Sequence, residues 1–354
     1  MPLGQSQPEA ATAVSGYRAL VARRLAFFVG GVSILAVLVL VDLLVGPAFL
    51  DPSGVVLALV NPQAAEGMTA IIVWDIRLPM TLMAIVVGVS LSIAGVLMQT
   101  ILGNPLASPY TLGISAAAGF GAALTILTGF TLPFFAGFSV ALAAFCAAGL
   151  ASALVYAFSR LSGMSAEVMV LAGIATLFLF QSAQSLVQYL AAPEVLQAIV
   201  FWLFGSLLKA NWENLPISAG ILLLSLLVLL PLIWKLTALR LGDERASAVG
   251  VDVRRLRIKV FVLVTLLTAG SVAFVGTIGF VGLVAPHIAR MLVGEDQRFL
   301  LPMAAVSGAV VMVGASILSK LISPGGVLPI GIVTAVIGVP FLFFLIVQGR
   351  RRYW

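Results

Sequence analysis

Apolar runs about as long as a bilayer is thick follow one another through most of this chain. That succession limits the fold more than any other feature. A hydrocarbon core about 30 Å thick takes about 20 apolar residues per helix. Runs of that kind cover approximately residues 25–45, 79–102, 110–129, 133–158, 167–190, 216–234, 301–321 and 328–347, with a longer one over 258–286. In lipid only helices and closed barrels satisfy their own backbone, and these runs lack the two-residue alternation of barrel strands. The composition agrees: 62% of residues are hydrophobic and 9% charged, against about 25% charged in an average soluble domain. The expected fold class is an all-α membrane protein.

The number of spans turns on residues 258–286. As one straight helix this stretch would be about 44 Å long, well beyond the hydrocarbon core. Gly276, Gly279 and Gly282 offer a turning point inside it. Lys and Arg are retained on the cytoplasmic side of a membrane protein. Two spans here place Arg290, Arg298 and Arg350–Arg352 on the same side as Arg23 and Arg24. The exceptions are then Arg77, Lys209 and Lys320. The expectation is ten transmembrane helices with both termini cytoplasmic. It divides the chain into a cytoplasmic N-terminal segment (1–24), a single ten-helix domain (25–348) with a cytoplasmic loop at 236–257, and a basic tail (349–354). A segment at 191–215, with Trp202 and Trp212 suited to the interface, reads as surface-lying or re-entrant. The net charge of +6 is explained by this topology, so nucleic acid is not an expected partner; the lipid bilayer is.

Several chemistries are missing. No phosphate loop of the form G-x-x-x-x-G-K-[ST] occurs, so any ATP would be bound by another chain. No H-E-x-x-H or G-x-S-x-G pattern occurs either. A lone cysteine, Cys146, and a lone histidine, His287, form no metal set. No catalytic residue, resident metal or cofactor is expected. The spans hold almost no ionisable groups apart from Asp42, which argues against an ion-coupled carrier and against a naked transition-metal channel.

One block breaks the apolar pattern. Residues 240–259, RLGDERASAVGVDVRRLRIK, carry three acids and six bases. Gly242-Asp243 followed by ERASAV and Gly250 reads as a short capped helix. Asp243 is placed to accept from its first N–H groups, and Glu244 sits at the positive end of the dipole. Gly250 suits the left-handed residue that ends it. Ala246 and Val249, at i and i+3, share a small apolar face. Spacing alone leaves two readings: an ordinary basic loop, or a stub helix that docks into a partner's groove.

The block GDERASAVGVDVRRLR, the stretch VAFVGTIGFVGLVAPHIARMLVGEDQRFLLP and the stretch LPIGIVTAVIGVPFLFFLI resemble the FecCD-type permeases of iron-siderophore, haem and cobalamin ABC importers. So do IRLPMTLMAIVVGVSLSIAGVLMQTILGNPLASPYTLGISAAAGFGAAL and IVFWLFGSL. The likeness implies a type II importer subunit in a bacterial or archaeal cytoplasmic membrane. The subunit would not itself be an enzyme. It would pair as a homodimer and work with two ATP-binding cassette ATPase subunits and an extracytoplasmic binding protein. Its cargo would be a ferric siderophore, with haem or cobalamin as the alternative. Carried over by motif, Gly242, Asp243, Glu244, Ala246, Val249 and Gly250 fall in the element that enters a cleft of the ATPase. Arg77 and Lys320 fall where basic residues meet glutamates of the binding protein. Met80, Ser316 and Val327 depart from the family's usual Arg, Asp and Glu there. Gln181, Gln184 and Gln188 lie on one face of the fifth helix, which in the family borders the translocation path.

Overall fold

The computed structural model describes residues 7–349, apart from 49, 62, 64–66, 134–135 and 323–325. The basic tail expected at the C-terminus therefore lies outside the described residues from 350 onward. Among the described residues there is no strand.

α1 (Gln7–Leu44) is followed by the short α2 (Pro52–Val60) and α3 (Gly67–Ile71). A π-helical turn, Ile72–Arg77, joins α3 to α4 (Leu78–Leu102), so the second expected span begins earlier than residue 79. Next come α5 (Ile114–Thr128), α6 (Ser139–Leu161), α7 (Ala166–Leu190), α8 (Pro193–Leu203) and α9 (Asn214–Leu229). α10 (Ile233–Leu239) continues α9 through one 3-10 turn. α11 (Asp243–Ala248) is the short helix expected in the charged block, and α12 (Val253–Val275), α13 (Val281–Val293), α14 (Gln297–Ile322) and α15 (Ile330–Gly349) complete the chain. Seven helical stretches are long and apolar enough to cross a membrane. The shorter apolar helices α5, α13 and α15 fall on the other three expected spans, and α8 falls in the segment read as surface-lying or re-entrant.

The bundle has an inner and an outer set of helices. In their most apolar stretches α4, α12 and α14 are 78%, 72% and 72% buried, whereas α1 is 11% buried. The sequence reason is small residues. Gly88 of α4 meets Gly308 of α14 so closely that a Cβ on either would overlap the other's carbonyl. Without a water-driven hydrophobic force, such close backbone contact is what holds helices together in lipid.

The long run at 258–286 is divided. α12 stops at Val275, and Gly276 takes φ +79 with its Cα against the Trp202 carbonyl, where no Cβ fits. The irregular backbone that follows is satisfied from neighbouring segments, as it must be within a membrane protein. Ser206 N–H donates to Val275 O at 2.6 Å, and Gly331 N–H donates to Phe204 O at 3.0 Å. Thus the chain after α8, the break between α12 and α13, and the start of α15 form one hydrogen-bonded junction.

Candidate functional site

Charge collects at both ends of the bundle. At one end is α11, between α10 and α12. Gly242 precedes it at φ +98 and Gly250 follows at φ +85. Gly250 N–H donates to Ser247 O and Val251 N–H to Ala246 O, both at 3.0 Å, which closes the helix. Asp252 caps α12, its carboxylate accepting from Arg255 N–H at 2.9 Å.

Two expectations are corrected here. Asp243 does not cap α11: the N-cap position is Gly242, with no side-chain cap bond. Its carboxylate instead receives both arms of Arg257, at 2.7 and 3.0 Å. A bidentate guanidinium is a stronger partner than a free backbone N–H. Ala246 and Val249 do not share an exposed face either. Ala246 is fully buried in the main core with Val251 and Leu256, while Val249 is 57% exposed. The outward rim of α11 is Leu241, Glu244, Arg245, Ser247, Ala248 and Val249.

Arg257 is the residue that the sequence did not single out. It lies among four bases, and only the burial of its neighbours Leu256 and Val260 marks it as inward-facing. Its Nε donates to Ile101 O at 3.1 Å and its Nη1 to Met164 O at 3.4 Å. One side chain therefore ties α11 to the end of α4 and to the turn before α7. A second set of bonds runs alongside. Glu295, after α13, pairs with Arg240 and, at 3.2 Å, with Arg290. Arg290 also donates to Gln99 of α4 at 2.7 Å. Between the two sets lies a cavity of about 380 Å³, lined by Gln99, Gly103, Arg240, Asp243 and His287. His287 packs edge-on against Phe341 at 6.0 Å, and among the described residues no cluster could hold a metal. Asp296 sits just outside; the hydrogen bond from Arg298 holds its carboxyl below the usual range.

The far end holds the two residues expected to dock a binding protein, and the structure places both inside. Arg77 is 3% exposed. It donates to the carbonyls of Leu43 (2.7 Å), Leu44 (2.8 Å) and Ala48 (2.6 Å). The first two are orphan acceptors at the negative end of α1, and Ala48 lies in the loop beyond it. Lys320 is 6% exposed. Its ammonium lies 2.8 Å from the Asp42 carboxylate and donates to the Asp42 carbonyl at 2.9 Å. Thr81 donates to the other carboxylate oxygen at 2.6 Å. Asp42, one turn from the end of α1, needs a counter-ion where it is buried, and both cations answer internal demands. Met80 and Ser316 are buried beside them.

The three glutamines stay on one side of α7. Gln181 is exposed, Gln184 and Gln188 are half-buried, and Gln184 packs over Gly119 of α5. α7 also exposes Leu171, Phe178 and Tyr189, and α15 exposes Val336 and Phe343. Both helices keep a large uncovered apolar face.

The model of the FecCD transport family matches residues 34–348, and the chain belongs to that family. The hemin transport system permease protein HmuU of Yersinia pestis is 36% identical over 282 residues, covering 79% of this chain and 84% of that one. The Fe(3+)-citrate import system permease protein YfmD of Bacillus subtilis is 35% identical over 297 residues, covering 81% and 87%. A solved metal-chelate type ABC transporter, in an inward-facing conformation, superposes with a TM-score of 0.80 at 34% identity, over 91% of this chain and 98% of that one. The protein is a multi-pass membrane permease of an ABC importer.

Proposed function

We propose that this permease carries a ferric siderophore across the cytoplasmic membrane as a homodimer of ten-span subunits with both termini inside. The observation that carries the mechanism is the Arg257 tie. α11, held by Arg257 through Asp243, would sit in the cleft of an ATPase subunit, two of which serve the dimer. Its motion would pass through Arg257 to the end of α4, the most buried helix of the bundle, and to the base of α7. Gly242 and Gly250 set the angle of this stub, Asp243 and Ala246 anchor it, and Glu244 and Val249 face the partner.

The uncovered faces of α7 and α15 supply the dimer contact and the wall of the path. Gln181, Gln184 and Gln188 offer amides to a bulky polar cargo. Among the described residues there is no imidazole, thiolate or carboxylate set of the kind that strips a bare metal ion, which favours a chelate. The iron-citrate and hemin relatives are nearly equal in identity, so haem or cobalamin is separated from siderophore by what the binding protein delivers. An ion-coupled carrier is disfavoured because Asp42 is held by Lys320 and Thr81. With Arg77 and Lys320 committed internally, neither is free to pair with the glutamates of a binding protein.

Reconstitution with the cognate ATPase and binding protein tests the proposal. Ferric siderophore uptake should require hydrolysis; uptake that persists with a hydrolysis-dead ATPase sinks it. For α11, Val249→Asp should abolish ATPase capture without altering the thermal midpoint of the isolated permease. Unchanged capture would remove the rim from the interface. Ala246→Glu is the wrong probe, because a buried charge unfolds the element rather than its contact.

A further inference from the structure

The loop between α8 and α9, at the end of the bundle remote from α11, holds a cation with no acid partner among the described residues. Lys209 ends a 3-10 turn, Leu207–Lys209. Its Nζ is buried, finds no hydrogen-bond acceptor among the described residues, and lies 5.3 Å over the Trp202 ring. Burial pushes its pKa down to about 8, so at neutral pH it still carries its charge for most of the time.

The loop around it is rigidly built. Asn214 Nδ2 donates to Lys209 O at 2.7 Å, and Asn211 N–H donates to Asn214 Oδ1 at 3.0 Å. The Asn211 side chain accepts from the N–H groups of Glu213 and Asn214. Trp212 Nε1 donates to Trp74 O at 2.9 Å, pinning the loop to the π-turn before α4. Lys209, Asn211 and Asn214 line a cavity of about 300 Å³. Glu213 lines it too, without pairing with Lys209.

That polar mouth continues into an apolar groove. Phe138, Ala141, Ala273 and Phe274 line both the mouth and a second cavity of about 390 Å³, whose remaining walls are Leu142, Phe145, Ile217 and Ile221. Phe138 and Phe274 meet edge to face at 6.4 Å where the two join. The groove follows α6 from Phe138 to Phe145, about 10 Å along the helix axis. It runs on the outside of the spans α6, α9 and α12, and the mouth lies level with their ends, where a bilayer changes from acyl chains to head groups. The exposed Trp212 marks the same boundary.

We propose that the Lys209 mouth and the α6–α9 groove form a site for one anionic phospholipid, phosphate on the Lys209 ammonium and acyl chain along Leu142, Phe145 and Ile221. The charge is complementary, the amides of Asn211 and Asn214 suit head-group oxygens, and the apolar groove has the chemistry and direction of an acyl chain. A lipid phosphate there supplies the counter-ion that the fold itself omits.

Native mass spectrometry of the full-length protein, with phosphatidylglycerol and phosphatidylcholine of matched chains, tests the site. Wild type should retain phosphatidylglycerol preferentially, and Lys209→Gln should reduce that preference about fivefold, with Lys209→Arg restoring it. Equal retention of the two lipids, or a preference untouched by Lys209→Gln, overturns the site. Loss of the preference in excess inorganic phosphate, with glycerophosphate equally effective, would show an anion site and overturn the lipid. A photo-crosslinker at Leu142 should yield lipid adducts; crosslinks to a second copy would show that protein covers the groove and would also overturn it.

Discussion

The two ends of the bundle handle charge in opposite ways. At the α11 end the three arginines that line the cavity meet acids at the rim: Arg257 with a half-exposed Asp243, and Arg240 and Arg290 with Glu295. At the far end the cations are withdrawn. Asp42 and Lys320 are almost sealed from the surface, Arg77 spends its donors on carbonyls, and Lys209 has no acid partner among the described residues. Rim pairs can exchange a partner within the protein for one outside it, because water and neighbouring charges soften the loss. Sealed pairs cannot exchange, because a buried charge stripped of its partner has nowhere to relax. The α11 end is built to be handled, and the far end is built to hold α1 against α4 and α14.

The largest effect should come from breaking the sealed pair. Asp42→Ala leaves the Lys320 ammonium buried alone and should cost about 3–5 kcal/mol, read as loss of folded protein in a thermal melt of the detergent-solubilised permease. Asp42→Leu with Lys320→Met should recover most of that loss, since apolar side chains of similar size remove both desolvation costs. If the double variant is as unstable as the single one, the pair contributes more than mutual neutralisation and the contrast between the two ends fails.

The same contrast explains what the sequence could disclose. The break at Gly276, the stub helix and its closing Gly250 were legible, because glycine positions and run lengths report local backbone demands. The all-helical membrane fold was legible from the runs themselves. The direction of Ala246, the partner of Asp243 and the burial of Arg77 and Lys320 were not, because they depend on contacts between residues far apart in the chain: Arg257 with Ile101, Arg77 with Leu43, Lys320 with Asp42. A family motif carried Arg77 and Lys320 to the outer face by position. The orphan carbonyls at the end of α1 and the buried Asp42 carboxylate took them inward. Burial of a charge is a tertiary property, and the only hint in sequence was Asp42 inside an apolar run.

A medium effect is expected at the rim. Asp243→Asn keeps an acceptor but removes the charge from the Arg257 fork. It should cost about 1–2 kcal/mol of stability, read in the same melt. In proteoliposomes the ATPase should still bind and hydrolyse ATP while ferric siderophore uptake falls, because α11 is no longer tied firmly to α4. Uptake that falls only in step with the amount of folded protein would make Asp243 structural and not a link in coupling.

The smallest effect concerns the cation left without an acid. Lys209 has a folded-state pKa of about 8 against an ordinary 10.5. The native state therefore releases this proton first, and between those two values the unfolded chain binds more protons than the folded one. Stability should then rise with pH across that window. Wild type in neutral detergent should show the rise, Lys209→Met should lack it, and the difference between the two curves isolates Lys209 from the other titrating groups. Phosphatidylglycerol should flatten the wild-type curve by giving the ammonium a phosphate, which raises its pKa towards the ordinary value. Phosphatidylcholine should flatten it less, because its choline offsets the phosphate. A rise that both lipids leave unchanged would mean that no lipid phosphate reaches Lys209; the absence of any Lys209-dependent rise would mean that an acid of the protein balances it, and the far end would then balance its charges as the α11 end does.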